Sequence, residues 1–255
     1  MLHAAISEDE GKTWLGYREV LRDPLQKDGP PAHGDNGVAY PFPTLTKDGR
    51  VVFSLWVETG KGRSIFRFDP RWLYEKHQRD DFRSGFINWS TFGTEGVELV
   101  ADPLRKDTKI MSLQKKNDVW AAGAVWNFPK GGKGSLKAKI MLQRGFRGTR
   151  IALTDHFSAP FDELAQYYNL FNLEIDPNGE LSGATVRLEP MHWYEVLLNW
   201  DCSKRCCWVF LDGIQIAKLD MQRTSSSVSY LRLNSTSEQA DQGILIEYVE
   251  VKVDS

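Results

Sequence analysis

The sequence has no long apolar run and almost no charge imbalance, and each shortage excludes a class of protein. No stretch approaches the roughly 20 consecutive apolar residues that a membrane-spanning helix needs. The 32 Lys and Arg residues nearly balance the 34 Asp and Glu residues, giving a net charge of -2. Bulk electrostatics therefore do not favour a nucleic-acid backbone. We expect no membrane partner and no nucleic-acid partner.

Cysteine and histidine are also scarce, with three and five residues. Cys202, Cys206 and Cys207 fall in one short segment, without the distant second pair of a zinc site. The segment predicts a single hairpin with Cys202 opposite Cys206 or Cys207. A cross-strand disulfide and reduced thiols are the two alternatives for these cysteines. The histidines lack metal-binding spacing. We predict no metal site and no cofactor.

Aromatic residues and glycine are plentiful. Phe, Trp and Tyr make up 12% of the chain, with nine Trp, alongside 21 Gly. This composition is typical of many strands separated by tight turns, and about sixteen segments alternate or run apolar as strands do. Asp212-Gly213 is one of several turn signals. The only helical patterns of useful length are Pro70 to Gln78 and Phe161 to Tyr168. We predict an all-β chain of mostly antiparallel strands.

A charged stretch from Glu75 to Asp81 interrupts the strand pattern and suggests a domain boundary. We predict an N-terminal segment at 1–74, a helical linker at 75–85 and a β-sandwich at 86–255. The last range is long enough for a complete two-sheet sandwich with its own core.

One eight-residue segment near the N-terminus has a specific pattern. The pattern consists of Ser7, Asp9, Gly11, Thr13 and Trp14. It resembles the Asp-box of sialidase-like β-propellers, also called the BNR repeat. Asp9 can accept hydrogen bonds from turn amides, Gly11 can adopt a positive φ, and Trp14 can fold back as an apolar anchor. We interpret the motif as a structural turn, and a direct ligand site is the alternative.

The segment from Gly37 to Glu58 resembles the late-propeller pattern of sialidases, in which Ala-Tyr-Ser precedes an Asp-Gly turn and an apolar strand. The resemblance implies that Tyr40 is the catalytic nucleophile, although Pro41 stands where the family has Ser. A neutral phenol suits a sialoside because a carboxylate nucleophile would be repelled by the sugar carboxylate. A strand tyrosine packed between propeller blades is the alternative.

The sialidase resemblance also requires an arginine triad, an Asp acid/base and a Glu that activates the tyrosine. A propeller blade takes about 40–45 residues, so residues 1–74 amount to less than two blades. We expect these partners to precede Met1 and this chain alone to be inactive.

The stretch from His192 to Ala217 resembles concanavalin A-like, laminin-G-type domains. It contains Trp193, an alternating apolar strand, a hairpin, a second strand and Asp212-Gly213. The resemblance implies a jelly-roll β-sandwich, a fold shared by lectins, glucanases and structural modules. Glucanases of this fold carry a Glu pair on one strand. Only Glu247 and Glu250 come close, and their spacing predicts opposite faces, so we do not expect glucanase activity.

One cluster in the sandwich is a candidate sugar site. Asp155 and His156 end an apolar strand, and Tyr167 follows on the next connection; sugar sites combine aromatic platforms with polar side chains. The alternative is a satisfied polar pair with its aromatics in the core.

The most consistent interpretation is the C-terminal part of a sialidase-like glycoside hydrolase: an incomplete propeller-like segment, then a sandwich that is an accessory carbohydrate-binding or structural module. We expect a glycan as partner. A non-enzymatic lectin-like or protein-interaction sandwich is the alternative, and strand edges in residues 1–74 could pair two copies of the chain. The segment Met1 to Ile6 lacks the features of a signal peptide, so the compartment stays open, with export of a longer parent protein an option.

Overall fold

The computed structural model describes residues 2–21, 38–57 and 62–254. Their secondary structure is almost entirely β, as predicted. The strands of the described residues are β1 (Leu2–Ile6), β2 (Leu15–Leu21), β3 (Val38–Leu45), β4 (Val51–Val57), β5 (Gly62–Phe68), β6 (His77–Asp80), β7 (Trp89–Ser90), β8 (Val97–Ala101), β9 (Lys109–Leu113), β10 (Gly123–Gly131), β11 (Lys133–Leu142), β12 (Thr149–Thr154), β13 (Phe171–Ile175), β14 (Trp193–Asp201), β15 (Cys206–Leu211), β16 (Ile214–Asp220), β17 (Val228–Ser235) and β18 (Ile244–Val253). Short 3₁₀ helices span Pro70–Tyr74 and Glu163–Tyr168. Within these ranges no helix is long and apolar enough to cross a membrane.

Two antiparallel sheets form the sandwich. The first has the order β13-β12-β17-β10-β7. The second has the order β16-β15-β14-β11-β18-β9-β8, and β6 also pairs with β18. Strands such as β11 alternate buried and partly exposed residues, because successive side chains of a strand point to opposite faces of its sheet. The inward residues of both sheets form one core.

The centre of the core is aromatic. Trp126 is fully buried and stacks on Trp89 with ring centroids 5.8 Å apart. Phe128 packs between Trp126 and Trp200, and its ring centroid lies 5.7 and 5.9 Å from theirs. The Trp200 indole donates to the Gly131 carbonyl at 3.1 Å. Buried aromatic side chains of this size contribute strongly to the hydrophobic stabilisation of a domain.

The cysteine hairpin has a different register from the predicted one. β14 ends at Asp201, which pairs with Cys206, while Cys207 pairs with Trp200. Cys202 therefore lies in the turn and opposes neither cysteine. All three thiols are free and buried. Burial, followed by the nearby Asp201 charge, raises the pKa of Cys202 to about 11, so this thiol stays protonated and unreactive at neutral pH.

The prediction of a helical linker at 75–85 is wrong. The helix stops at Tyr74, and residues 77–80 form β6. This charged strand is stabilised because His77 and Arg79 contact Glu250 of β18 at 2.8 and 3.1 Å. The carboxylate of Asp80 accepts the Trp89 indole N–H at 3.1 Å. The charges of His77 and Arg79 are thus paired within the larger sheet, whereas Glu75 pairs with Arg18 of β2 at 3.3 Å. The second predicted helix, Phe161 to Tyr168, is the shorter 3₁₀ helix Glu163–Tyr168.

The hairpin β1–β2 packs on the outer face of the five-stranded sheet. The backbone amide of Glu19 donates to Asn127 Oδ1 at 2.9 Å, and Tyr230 Oη donates to the Glu19 carboxylate at 2.9 Å. Arg18 is buried, lies 3.9 Å from the centroid of the Trp72 ring, and donates to the Trp72 carbonyl. The hairpin is therefore anchored by polar contacts with the sandwich.

The strands β3, β4 and β5 form a separate three-stranded sheet. Phe53 and Leu55 are buried on one face, where Phe53 stacks on Phe66 at 5.6 Å. On the other face Phe42 and Ile65 flank Ser54 in register and are 62% and 77% exposed. This sheet thus leaves an apolar row on its surface.

Candidate functional site

The candidate site lies on the connection between β12 and β13, residues 155–170, which we call the 155–170 connection. It contains all three predicted site residues of the sandwich. Asp162 begins its 3₁₀ helix by accepting the backbone N–H of Leu164 at 2.9 Å, as an N-capping residue does. The Asn234 amide donates to the Pro160 carbonyl at 3.0 Å. The connection is therefore held in place by defined contacts with β17.

Asp155 and His156 lie together, with Asp155 Oδ1 and His156 Nδ1 2.6 Å apart. Arg223, from the turn between β16 and β17, donates to the same carboxylate oxygen. Burial alone would raise the pKa of Asp155, but hydrogen bonds from Arg223, His156 and Ser225 lower it to about 2. The carboxylate is ionised across the physiological range.

Arg223 also joins the two ends of the connection. Its Nε donates to the Tyr168 carbonyl at 2.8 Å, while its guanidinium pairs with Asp155. The edge of the His156 ring meets the Tyr168 ring, with centroids 5.6 Å apart. A single arginine thus fixes the carboxylate, the imidazole and an aromatic ring relative to one another.

The aromatic residues of the connection lie at the surface. Tyr167 is 73% exposed, Tyr168 55% and Leu164 68%. We call the two tyrosines the aromatic ledge. Among the described contacts none joins Tyr167 to Asp155 or His156. The tyrosine that contacts His156 is Tyr168. Side chains with these exposures do not lie in the core, so the alternative of core aromatics does not fit. Exposed apolar clusters commonly mark binding sites.

The segment from Ser7 to Trp14, which resembles an Asp-box in sequence, forms a hydrogen-bonded turn between β1 and β2. The two carboxylate oxygens of Asp9 accept from the backbone amide and the hydroxyl of Thr13, at 2.8 and 2.7 Å. The Gly11 amide donates to Ser7 Oγ at 2.6 Å, and Gly11 has φ +88°. Trp14 lies against Gly11 but is 59% exposed. The arrangement is that of a turn, and among the described contacts no acidic or basic side chain forms an ion pair with Asp9.

Tyr40 lies in β3, between Ala39 and Phe42, where the register with β4 shifts. Its side chain and residue Glu58, which ends the resembling segment, lie outside the described residues. The assignment of Tyr40 as nucleophile stays a prediction.

The expected opposite orientation of Glu247 and Glu250 is wrong. The register of β11 against β18 shifts at Lys139, which pairs with Tyr248 while Ile140 pairs with Ile246. This β-bulge turns Glu247 to the outer face of the eight-stranded sheet, where it lies 2.9 Å from Lys139 Nζ. Glu250 is on the same face, paired with His77.

Neither glutamate is suited to be a general acid. Burial would raise the pKa of Glu247, but hydrogen bonds from Lys139 and Arg105 lower it. Burial would likewise raise the pKa of Glu250, but the hydrogen bond from His77 and the charges of Lys252, His77 and Arg79 together lower it. Both carboxylates are occupied in ion pairs.

One feature of the outer face was not predicted: a cleft of about 220 Å³ beside the 155–170 connection, containing the buried Arg232. The alternation from Tyr230 through Arg232 to Asn234 places these polar residues on the outer face, and this is the signal that could have identified them. No group of three or more potential metal ligands occurs within the described ranges.

No protein-family model and no curated protein matches this sequence. Among solved structures, it is similar to one described as "Sialidase", with TM-score 0.50 and 17% identity over 86% of this chain and 23% of the other. It is also similar to the carbohydrate recognition domain of Emp47p, with TM-score 0.48, 12% identity, and coverage of 71% and 96%. For lectin II from Ulex europaeus the TM-score is 0.47 and the identity 9%, over 69% of this chain and 97% of the lectin.

The chain thus spans under a quarter of the length of that sialidase. At such identities the likeness concerns the fold, which agrees with the predicted all-β sandwich. Activity and ligands do not follow from it.

Proposed function

We propose that this chain is the C-terminal part of a sialidase-like glycoside hydrolase and that its sandwich is a carbohydrate-binding module. The observation that carries the binding function is the aromatic ledge beside Asp155, His156 and Arg223. Exposed aromatic faces next to fixed polar side chains are what a sugar ring requires, since it presents both C–H and hydroxyl groups. The His156 side chain is 44% exposed, so its imidazole is accessible to a ligand.

The position of the ledge supports the same function. Arg223 pairs with the Asp155 carboxylate and donates to the Tyr168 carbonyl, so it ties the two ends of the connection together. A preorganised site loses little conformational entropy on binding. The connection therefore presents the exposed Tyr167 ring on a rigid base.

A glycan array probed with the whole chain tests the binding function. We expect Tyr167→Ala to weaken binding by about three- to tenfold, the range for the loss of one aromatic contact. The unfolding free energy should not change because Tyr167 is exposed. Tyr74→Ala is the matched control, since Tyr74 is an exposed tyrosine on the other 3₁₀ helix. The function would be contradicted by an array without binding or by unaltered binding of the Tyr167 variant.

The enzymatic part of the proposal is supported by the Asp-box turn followed by the strand that contains Tyr40. It predicts a native product heavier than 29.1 kDa that releases the fluorophore from a fluorogenic sialoside. Tyr40→Phe in that product should abolish release, and residues 1–255 alone should be inactive. The intact mass of the native product is the first measurement to make. A native mass of 29.1 kDa, or turnover by Tyr40→Phe, would contradict this part.

A second candidate is a non-enzymatic lectin-like protein that dimerises through the three-stranded sheet. The exposed row of Phe42 and Ile65 favours it, because exposed apolar patches can mark interaction surfaces. The solution mass of the whole chain tests the dimer. A dimer that Ile65→Lys converts to a monomer supports the second candidate, and a monomeric wild type contradicts it.

A further inference from the structure

We infer that the cleft between the 155–170 connection and the outer face of β12 and β17 binds the carboxylate of an acidic sugar. The inference rests on the proposed carbohydrate-binding function and specifies its ligand class. The cleft measures about 220 Å³, which is smaller than typical drug-sized pockets of about 300–1,000 Å³. It suits one sugar residue. Its lining includes four charged side chains, Lys115, Arg150, Arg232 and Glu238, and polar residues such as Gln166 and Asn234.

Arg232 is the central group of the cleft. It is 2% exposed, and its three nitrogens donate to oxygens of neutral groups: Asn234 Oδ1 at 2.7 Å, Ser158 Oγ at 3.0 Å and the Asp162 carbonyl at 2.5 Å. No carboxylate lies within 4.0 Å of it among the described residues. Burying a cation without a paired anion is costly. Three hydrogen bonds leave two of the five guanidinium N–H groups for a ligand.

Two further cations line the cleft. Arg150 donates to Glu174 Oε1 at 2.7 and 2.9 Å and to Gln166 at 2.7 Å, so one carboxylate compensates it. Lys115 is largely buried, and within the described ranges it forms no ion pair. Glu238 is the lining carboxylate, and it is exposed. Three lining cations against one lining anion leave the cleft positive.

The strand register explains how the cleft forms. Arg232 pairs with Ala152 of β12 and with Val125 of β10, and Ala152 leaves room beside its long side chain. Gly123 pairs with Asn234, and a Cβ at Gly123 would lie 2.5 Å from Asn234 Nδ2. Glycine is needed there so that Asn234 can hold the connection over the sheet. The cleft is thus a product of small residues next to Arg232.

A carboxylate is the ligand group that fits best. The planar guanidinium can donate two parallel hydrogen bonds to a carboxylate, which a hydroxyl cannot match. Gln166 lines the cleft, and the next residue is the exposed Tyr167 of the ledge. An acidic sugar in the cleft could therefore continue as a glycan across the ledge.

Isothermal titration calorimetry of the whole chain with D-glucuronate, D-glucose and acetate tests the inference. We expect glucuronate to bind about tenfold more tightly than glucose, and added salt to weaken it. Lys115→Gln should weaken glucuronate binding about fivefold or more, whereas Lys218→Gln, which removes an exposed charge from β16, should not change it. Arg232→Gln could loosen the connection, so Arg150→Gln is the second cleft variant and should act like Lys115→Gln.

The outcomes separate this inference from the proposed function. Glycan-array binding without preference for glucuronate over glucose would overturn the carboxylate cleft and leave the carbohydrate-binding function intact. Acetate binding that depends on Lys115, with no sugar binding, would support an anion site and contradict the sugar. Equal effects of Lys115→Gln and Lys218→Gln would overturn the cleft as the binding place.

Discussion

The sandwich and the N-terminal sheets are built differently although both are β. The sandwich buries a continuous aromatic core around Trp126 between two sheets. In the N-terminal sheets few side chains are fully covered, Phe53 and Leu55 among them, and Phe42 and Ile65 lie exposed. In both regions the alternation of apolar and polar residues produces strands. A hydrophobic core forms only where a second layer covers the apolar face of the sheet. We expect the two regions to differ in stability for this reason.

The largest effect should come from deleting a core aromatic. Trp126→Ala should lower the unfolding free energy of the sandwich by about 3–5 kcal/mol, because a stacked and fully buried ring is lost. Phe53→Ala should open only the three-stranded sheet. Urea unfolding followed by tryptophan fluorescence, together with hydrogen exchange, measures both. An equal loss of global stability in the two variants would mean that the regions unfold as one unit.

An intermediate effect should come from the carboxylate that holds the 155–170 connection. The pKa of Asp155 is lowered to about 2 in the folded chain, from 3.8 when unfolded. Its contribution to stability is therefore complete above pH 4 and is lost as the pH falls through about 2. The shift corresponds to about 2 kcal/mol at neutral pH.

Asp155→Asn should accordingly destabilise the sandwich by about that amount at pH 7 and by much less at pH 2. Denaturant unfolding at both pH values measures the difference. A destabilisation that does not depend on pH would show that the charge of Asp155 has no role.

The smallest effect should come from the turn at Ser7 to Trp14, which lies in the N-terminal sheets. Asp9→Ala removes the acceptor of the Thr13 amide, so the Thr13 amide should exchange faster with solvent while the global unfolding free energy stays constant. Lys12→Ala, on the same turn, is the control and should leave that exchange rate unchanged. A large global loss in Asp9→Ala would place the turn in the cooperative core.

Much of the sandwich could be predicted because its strands follow a simple alternation. The hairpin at Asp212 and Gly213 forms as expected, with φ +48° and +84°. The strand β6 could not be predicted, since its charges are paired with Glu250, some 170 residues away in sequence. The bulge at Glu247 was missed for the same reason: a register shift depends on the partner strand, and local spacing does not contain it.

The candidate site was predicted in part. Asp155 and His156 do lie together, because they are neighbours at a strand end. The role of Arg223 and the cleft around Arg232 depend on which loops meet over the outer face. Their partners Tyr168 and Ser158 are distant in sequence, so no local pattern marks them.

The place of β18 in the sheet has a consequence for how the chain is made. β18 lies between β11 on one side and β9 and β6 on the other, and among the described strands it is the last to leave the ribosome. Until then β6, β9 and β11 lack their shared neighbour and expose open edges. During synthesis these edges are therefore available for pairing with other chains until β18 has been translated.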